Sequence, residues 1–463
     1  MTRFLLLALL LLARAADAEP ALPDTPAGHA LGAWLQAFNA ADREALADFD
    51  LRHGQLQPLD DTLGFRDYTG GFDLVAVHRS QTHDVAVDVR ERDGEMTPVR
   101  LTLRLDPAAP AKLLALDVDP QHLDRLDQAA ALAGLAQRAQ ALADTDQFSG
   151  AFLVARRGEV LLQQAHGWAN RAEKIPARLD TRFRFASAGK MFTAVAVLQQ
   201  VQAGTLSLDA TLGEYLPDYP NAALARQLTL RQMLTHTGGT GGLDSLEPDY
   251  AGDRAALRTH ADYVAMHGGR SPAFTPGSKV EYSNYGFILL AAILERATGR
   301  DYYRIVREDV LGPAGMTATG MEPESSHVPN RAVAYRRKDG EWVDTATTLP
   351  WRGTAAGGGY TTVGDLFKFA QALQGGKLLS PELLAQATSP QMQENWYGFG
   401  FITVGQGGLR RYGHGGDADG MNADFRVFPE SGWVLISLSN LDPPAAYRLT
   451  RWFEPRMPVD AAQ

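Results

Sequence analysis

The chain has 463 residues, 45% of them hydrophobic and 21% charged, a mixture ordinary for a folded protein and long enough for one large domain with a small companion. That balance excludes a disordered or fibrous chain, and a formal charge of −10 repels polyanions, so nucleic acid is not an expected partner. The absence of cysteine excludes disulfides, a lipid-modified cysteine and thiolate metal sites.

At the start, Arg3 precedes an apolar run from Phe4 to Leu12, followed by the small-x-small sequence Ala16-Asp17-Ala18. This is the pattern of a cleavable signal peptide over residues 1–18. The run is well short of the ~20 apolar residues that a membrane span requires, and Arg14 ends it. The expectation is an exported, soluble protein, periplasmic or extracellular, with no stable membrane span after cleavage. Loss of Arg3, Arg14 and Asp17 takes the net charge from −10 to −11.

Residues 28–53 read as two short helices, the first with Leu31, Trp34, Leu35 and Phe38 on one face, the second capped by Asp42 and carrying Leu46 and Phe49. After Gly70-Gly71 the period changes to two: Phe72-Leu74-Ala76, Val85-Val87-Val89, Leu101-Leu103-Leu105 and Leu114-Leu116-Val118 each mark a strand with one buried face. Residues 28–120 are therefore predicted to form a small α+β domain. Its helix pair and antiparallel meander resemble the cone-shaped nuclear-transport-factor-like fold. It offers no catalytic pair, so an accessory or dimerising domain is expected.

An Ala/Leu-rich helix from Asp124 to about Leu142 opens a second domain over residues 125–456. Phe152-Leu153-Val154-Ala155 and Val160-Leu161-Leu162 then flank Arg156-Arg157-Gly158-Glu159 as a hairpin. The chain closes on two strand-like runs, Ala423 to Phe428 and Trp433 to Ser439, joined by Pro429-Glu430-Ser431-Gly432.

Between these ends lie the residues that carry chemistry. Ser187 and Lys190 stand three apart at the opening of a helix, since Ala194-Val195-Ala196-Val197-Leu198 continues without a breaker. That spacing puts both on one face. A serine hydroxyl holds its proton too tightly to attack at neutral pH, and an adjacent amine relieves this. The N-terminal position also leaves the Ser187 N–H available to an oxyanion. Ser-x-x-Lys alone is weak evidence, because it arises by chance about once in a chain of this length. Tyr282 and Asn284 precede the apolar helix Phe287 to Ala297, in a turn that presents side chains outward. A charge at Lys190 would lower the Tyr282 pKa towards working pH, and Asn284 offers either a donor for a substrate carbonyl or an acceptor for Lys190. The same Tyr-x-Asn pattern at Tyr219-Pro220-Asn221 sits in a proline-broken loop and reads as structural.

His-x-Gly occurs at His236, His267 and His414, and only the last leads into the terminal strands. A cation there would hold an anionic substrate group. With an unperturbed pKa of ~6.5, His414 would lose that charge across the working pH range. His236-Thr237-Gly238-Gly239 ends a helix and reads as a structural turn. Gly357-Gly358-Gly359 lacks the Gly-Lys-Ser/Thr of a phosphate loop, and no His/Asp/Glu cluster has metal spacing, so neither metal nor cofactor is expected.

Five blocks together resemble the serine β-lactamases and penicillin-recognising enzymes, closest to the branch of class C β-lactamases, D-alanyl-D-alanine carboxypeptidases, D-aminopeptidases and family VIII esterases. They are Phe183 to Ala194, Leu228 to Gly239, Tyr282-Ser283-Asn284, Gly357 to Thr362, and Gly413-His414-Gly415-Gly416. The resemblance, over roughly residues 130–455, implies a β-lactamase-like α/β sandwich: an antiparallel sheet built from both chain ends against a helical lobe. It implies Ser187 as acylated nucleophile, Lys190 and Tyr282 as its activating pair, and Asn284, His414 and Gly416 at the substrate. The N–H groups of Ser187 and Asp417 would form the oxyanion hole.

Where many β-lactamases carry Lys-Thr-Gly, this chain has His414-Gly415-Gly416, without the permanent charge and the hydroxyl that hold a β-lactam carboxylate. The expected substrate is therefore a short acyl ester or a D-residue peptide rather than a β-lactam. The competing expectation is a catalytically weak protein that binds penicillin or cell wall.

Overall fold

The computed structural model of the protein describes residues 20–92, 98–121, 123–241, 257–338, 340–346, 349–391 and 396–459. The expected signal peptide lies outside the described residues. The chain divides into two compact units, residues 1–123 and 124–463.

In the first unit, helix α1 (Pro26–Ala40) begins at Thr25, whose side chain accepts a hydrogen bond from the Gly28 N–H, and α2 (Arg43–His53) begins at Asp42, which accepts from Ala45. A third helix, α3 (Leu59–Thr69), fully buries only Thr62 and Thr69. Strands β1 (Phe72–Ser80), β2 (Asp84–Glu91), β3 (Pro98–Asp106) and β4 (Ala109–Pro120) form an antiparallel meander in chain order. Val85, Val87, Val89, Leu101, Leu103 and Leu105 turn inward against Leu31, Trp34 and Phe38 of α1.

The second unit is built around a six-stranded antiparallel sheet. Its hairpin β5 (Gly150–Arg156) and β6 (Glu159–His166) joins β7 (Ile402–Val404), β8 (Arg411–Ala418), β9 (Met421–Phe428) and β10 (Trp433–Ser439) in the order β7-β8-β9-β10-β5-β6. The first and last strands of the unit meet directly, with Leu153 opposite Ile436. Alternation assigns the two faces. Leu153, Phe425 and Ile436 pack against the helical lobe, which contains α5 (Lys190–Gln202), α6 (Asn284–Thr298) and α7 (Val363–Gln374). Phe152, Val154, Trp433 and Leu435 face the other way, onto helix α4 (Gln128–Asp144) from the start of the unit and the C-terminal helix α8 (Tyr447–Phe453). This is the expected sandwich, with a sheet drawn from both ends of the chain. It holds the start of α5 between the sheet and the lobe.

Candidate active site

Ser187 lies in a single 3₁₀ turn, Ala186–Gly189, immediately before α5, rather than in the α-helix itself. Ala186 has a left-handed φ of 43°, a conformation held from both sides. Its carbonyl accepts the Gly358 N–H at 3.1 Å, and Gly357 packs so closely that a Cβ there would meet the Ala186 oxygen at 2.7 Å. The glycine triplet is thus a backbone cradle under the nucleophile's turn. On the sheet side, a Cβ on Gly416 would sit 2.1 Å from the Phe185 carbonyl oxygen, so glycine allows β8 to lie against the same turn.

Lys190 is fully buried, one turn along from Ser187. Its Nζ donates to Asn284 Oδ1 at 2.6 Å and to the Ala356 carbonyl, and lies 3.3 Å from Ser187 Oγ. As an ammonium it gives its third proton to the serine. As a neutral amine with both protons on those two oxygens, it turns its lone pair towards the Ser187 O–H. Tyr282 closes the group, its ring centroid 4.7 Å from Lys190 Nζ. Asn284 therefore holds the lysine through its side-chain oxygen, one of the two uses its sequence position allowed.

The residue that places Tyr282 is His236. Its carbonyl accepts from Glu281 N–H at 2.9 Å and its Nδ1 accepts from Ser283 N–H at 3.1 Å, clamping the chain on both sides of the tyrosine. The imidazole ring packs against Tyr282 with centroids 4.3 Å apart and the planes inclined by 40°. His236 is completely buried, and its pKa is driven well below the usual histidine value by burial and by the Lys190 charge. Its place at a helix end is legible in the sequence, whereas the clamp is not, because it depends on a left-handed φ of 59°. Ser283 caps α6 by accepting from Gly286 N–H and donates to the Gly241 carbonyl at 2.6 Å.

His414 departs from expectation. It is 4% exposed, and Nε2 accepts the Tyr397 hydroxyl proton at 2.9 Å while Nδ1–H donates to the Gly415 carbonyl at 2.6 Å. Both contacts suit a neutral ring. Burial, reinforced by the Lys190 charge, pushes its pKa down to about 3. The expected change of charge within the working range is therefore overturned, because an imidazolium here would be desolvated beside another cation. Tyr397 itself was not foreseen; it lies in the stretch Trp396-Tyr397-Gly398-Phe399, whose aromatic character signals only a core. Asp417 turns its carboxylate to Asn422 Nδ2 at 2.7 Å and the Tyr447 hydroxyl at 2.8 Å. A side chain on Gly415 would collide with that hydroxyl, 2.1 Å from the Cβ position.

The β-lactamase family profile matches residues 135–455. Penicillin-binding protein 4* of Bacillus subtilis is 28% identical over 340 residues, covering 66% of this chain and 71% of that protein. Esterase EstB of Burkholderia gladioli is 30% identical over 333 residues, covering 63% of this chain and 84% of the esterase. The crystal structure of a penicillin-binding protein from Bacillus halodurans superposes with a TM-score of 0.63 at 28% identity, covering 68% of this chain and 98% of that one. The chain belongs to the β-lactamase family and is one of its serine hydrolases.

Proposed function

We propose that the protein is exported and hydrolyses a short acyl ester or a D-residue amide through an acyl-enzyme on Ser187. The observation that carries this reading is Lys190 Nζ held between Ser187 Oγ and Asn284 at the base of α5, beside Tyr282. In the first half-reaction Ser187 Oγ bonds to the acyl carbon as its proton passes to the Lys190/Tyr282 pair. The resulting oxyanion is received by the N–H groups of Ser187 and Asp417. The bond to the leaving alcohol or amine then breaks, and that group departs with the proton. Water repeats the sequence on the acyl-enzyme, releasing the acid and restoring Ser187.

The preference over β-lactams rests on charge. His414 is neutral, and the Tyr447 hydroxyl fills the space beside Gly415, so neither supplies the cation and free hydroxyl that would hold a carboxylate. Export is supported by the pattern of residues 1–18. The test compares p-nitrophenyl butyrate, a D-alanyl anilide and nitrocefin. The butyrate or the anilide should have the highest kcat/KM, and Ser187→Ala should lose ~10³-fold or more in turnover with unchanged circular dichroism. Activity in Ser187→Ala within tenfold of wild type would overturn the nucleophile. Folded wild-type protein that neither turns over any of the three nor reacts with a fluorophosphonate would favour the weakly catalytic binding protein.

A further inference from the structure

The family match begins at residue 135, and the first unit, residues 1–123, carries a cavity of its own. Part of that unit's core is filled: Trp34 stacks on Phe38 at 4.5 Å and Phe38 on Phe72 at 5.4 Å. Beside that stack, on the far side of Trp34, a space of about 330 Å³ remains, walled by Trp34, Phe49, Phe65, Leu113 and Leu116. Such a volume has room for roughly 10–15 non-hydrogen atoms.

Two polar groups in its wall are unspent. Trp34 is 5% exposed, and its indole N–H has no hydrogen-bond partner among the described residues, nor is it sealed from solvent. Asp50 is the one ionisable residue lining the space, and its carboxylate makes no hydrogen bond or ion pair with the described residues. The other polar side chains satisfy each other, Gln57 Nε2 donating to Thr62 Oγ1 at 2.9 Å.

The position of Asp50 breaks the rule that folds the helix. Leu46, Phe49, Asp50 and His53 occupy the i, i+3, i+4, i+7 stripe of α2, which elsewhere turns apolar residues inward. His53 is accommodated by tilted packing against Phe49 and by a contact of Nδ1 with the Ala111 carbonyl at 2.7 Å. Asp50 has no such compensation, and burial raises its pKa. A carboxylate kept at a stripe position without an internal partner lowers stability, and such departures mark functional positions.

We infer that this cavity is a binding site for a small organic ammonium, its charge on Asp50 and its aromatic or aliphatic body against Trp34, Phe49 and Phe65. Aromatic faces attract cations as well as apolar surface, so the walls and the carboxylate favour the same ligand class.

The experiment is calorimetric titration of the full chain with 2-phenylethylammonium, 2-phenylethanol and 3-phenylpropanoate. The ammonium should bind at least tenfold more tightly than the alcohol, and the carboxylate should not bind. Asp50→Asn should weaken the ammonium at least tenfold, whereas Ser187→Ala should leave it unchanged, which separates this site from the catalytic one. Asp50→Leu should bind no ammonium and melt at a higher temperature than wild type. Equal affinity for alcohol and ammonium, no binding of the ammonium, or undiminished binding in Asp50→Asn would each overturn the inference. So would a lower melting temperature in Asp50→Leu, since the carboxylate would then be structural.

Discussion

His414, buried and held neutral, offers no charge to a substrate anion. Its two hydrogen bonds assign one proton to Nδ1 and an acceptor role to Nε2, and its pKa lies at about 3. Above that value the ring is neutral, so it neither gains nor loses charge between pH 5 and 9. For a hemisuccinate ester, the KM contribution from this residue should stay flat over that window, and His414→Gln should follow the same profile as wild type. A wild-type KM that rises tenfold between pH 5 and 8, and does not rise in His414→Gln, would show that the imidazole titrates on the substrate. The sequence identified the histidine from His-x-Gly and its place before the terminal strands. It did not reveal the burial, because Tyr397 comes from a separate segment and nothing local to either residue encodes their contact. His236 makes the same point: its helix-ending position was legible, but its grip on Glu281 and Ser283 is a tertiary contact.

At the level of elements, the oxyanion hole proposed above takes one N–H from β8 and one from the 3₁₀ turn of Ser187. Their separation is fixed by a missing side chain. A methyl group on Gly416 would meet the Phe185 carbonyl at 2.1 Å, an approach that backbone cannot absorb without moving one of the two. Displacement of about 1 Å at such a site reduces turnover by roughly 100-fold, so Gly416→Ala should lose at least that much kcat/KM. Unchanged kcat/KM in Gly416→Ala would remove β8 from the site. The strands were readable because each buries one or both faces in a short regular period, as in Ala423 to Phe428. Helix α3 was not, because its run Leu59-Asp60-Asp61-Thr62-Leu63-Gly64 presents no apolar stripe and its buried positions include two threonines. The turn at Ser187 escaped for another reason. The apolar sequence after Lys190 predicts a helix, whereas the 3₁₀ geometry ahead of it is imposed by Gly358 and Phe185, which lie far apart in sequence.

Across the whole second unit, burying two neutral histidines beside Lys190 makes stability depend on acid. The unfolded chain takes up a proton on each ring near pH ~6.5, whereas folded His414 resists protonation to about pH 3 and His236 is also held well below the ordinary value. Between those limits the unfolded state binds more protons, so stability rises with pH and falls on acidification. For His414 the difference between pH 8 and pH 5 amounts to roughly 2 kcal/mol, and His236 acts in the same direction. Glu454, whose pKa Arg426 and Arg411 hold low in spite of burial, extends the loss to more acid pH, below its ordinary carboxyl range. Asp417 opposes it, its pKa raised to about 6 chiefly by desolvation of the carboxylate that Asn422 and Tyr447 hold, but this one carboxyl does not offset two histidines. The balance predicts that the urea midpoint for loss of hydrolase activity, which reports on this unit alone, decreases from pH 8 to pH 5. In His414→Gln, whose amide oxygen can still accept from Tyr397 but whose side chain cannot take up a proton, the loss of unfolding free energy behind that decrease should be smaller by about 2 kcal/mol. An unaltered pH dependence in the variant would mean that the folded protein protonates His414 as readily as the unfolded chain does, and with it the neutral, carboxylate-indifferent site proposed for this hydrolase would fall.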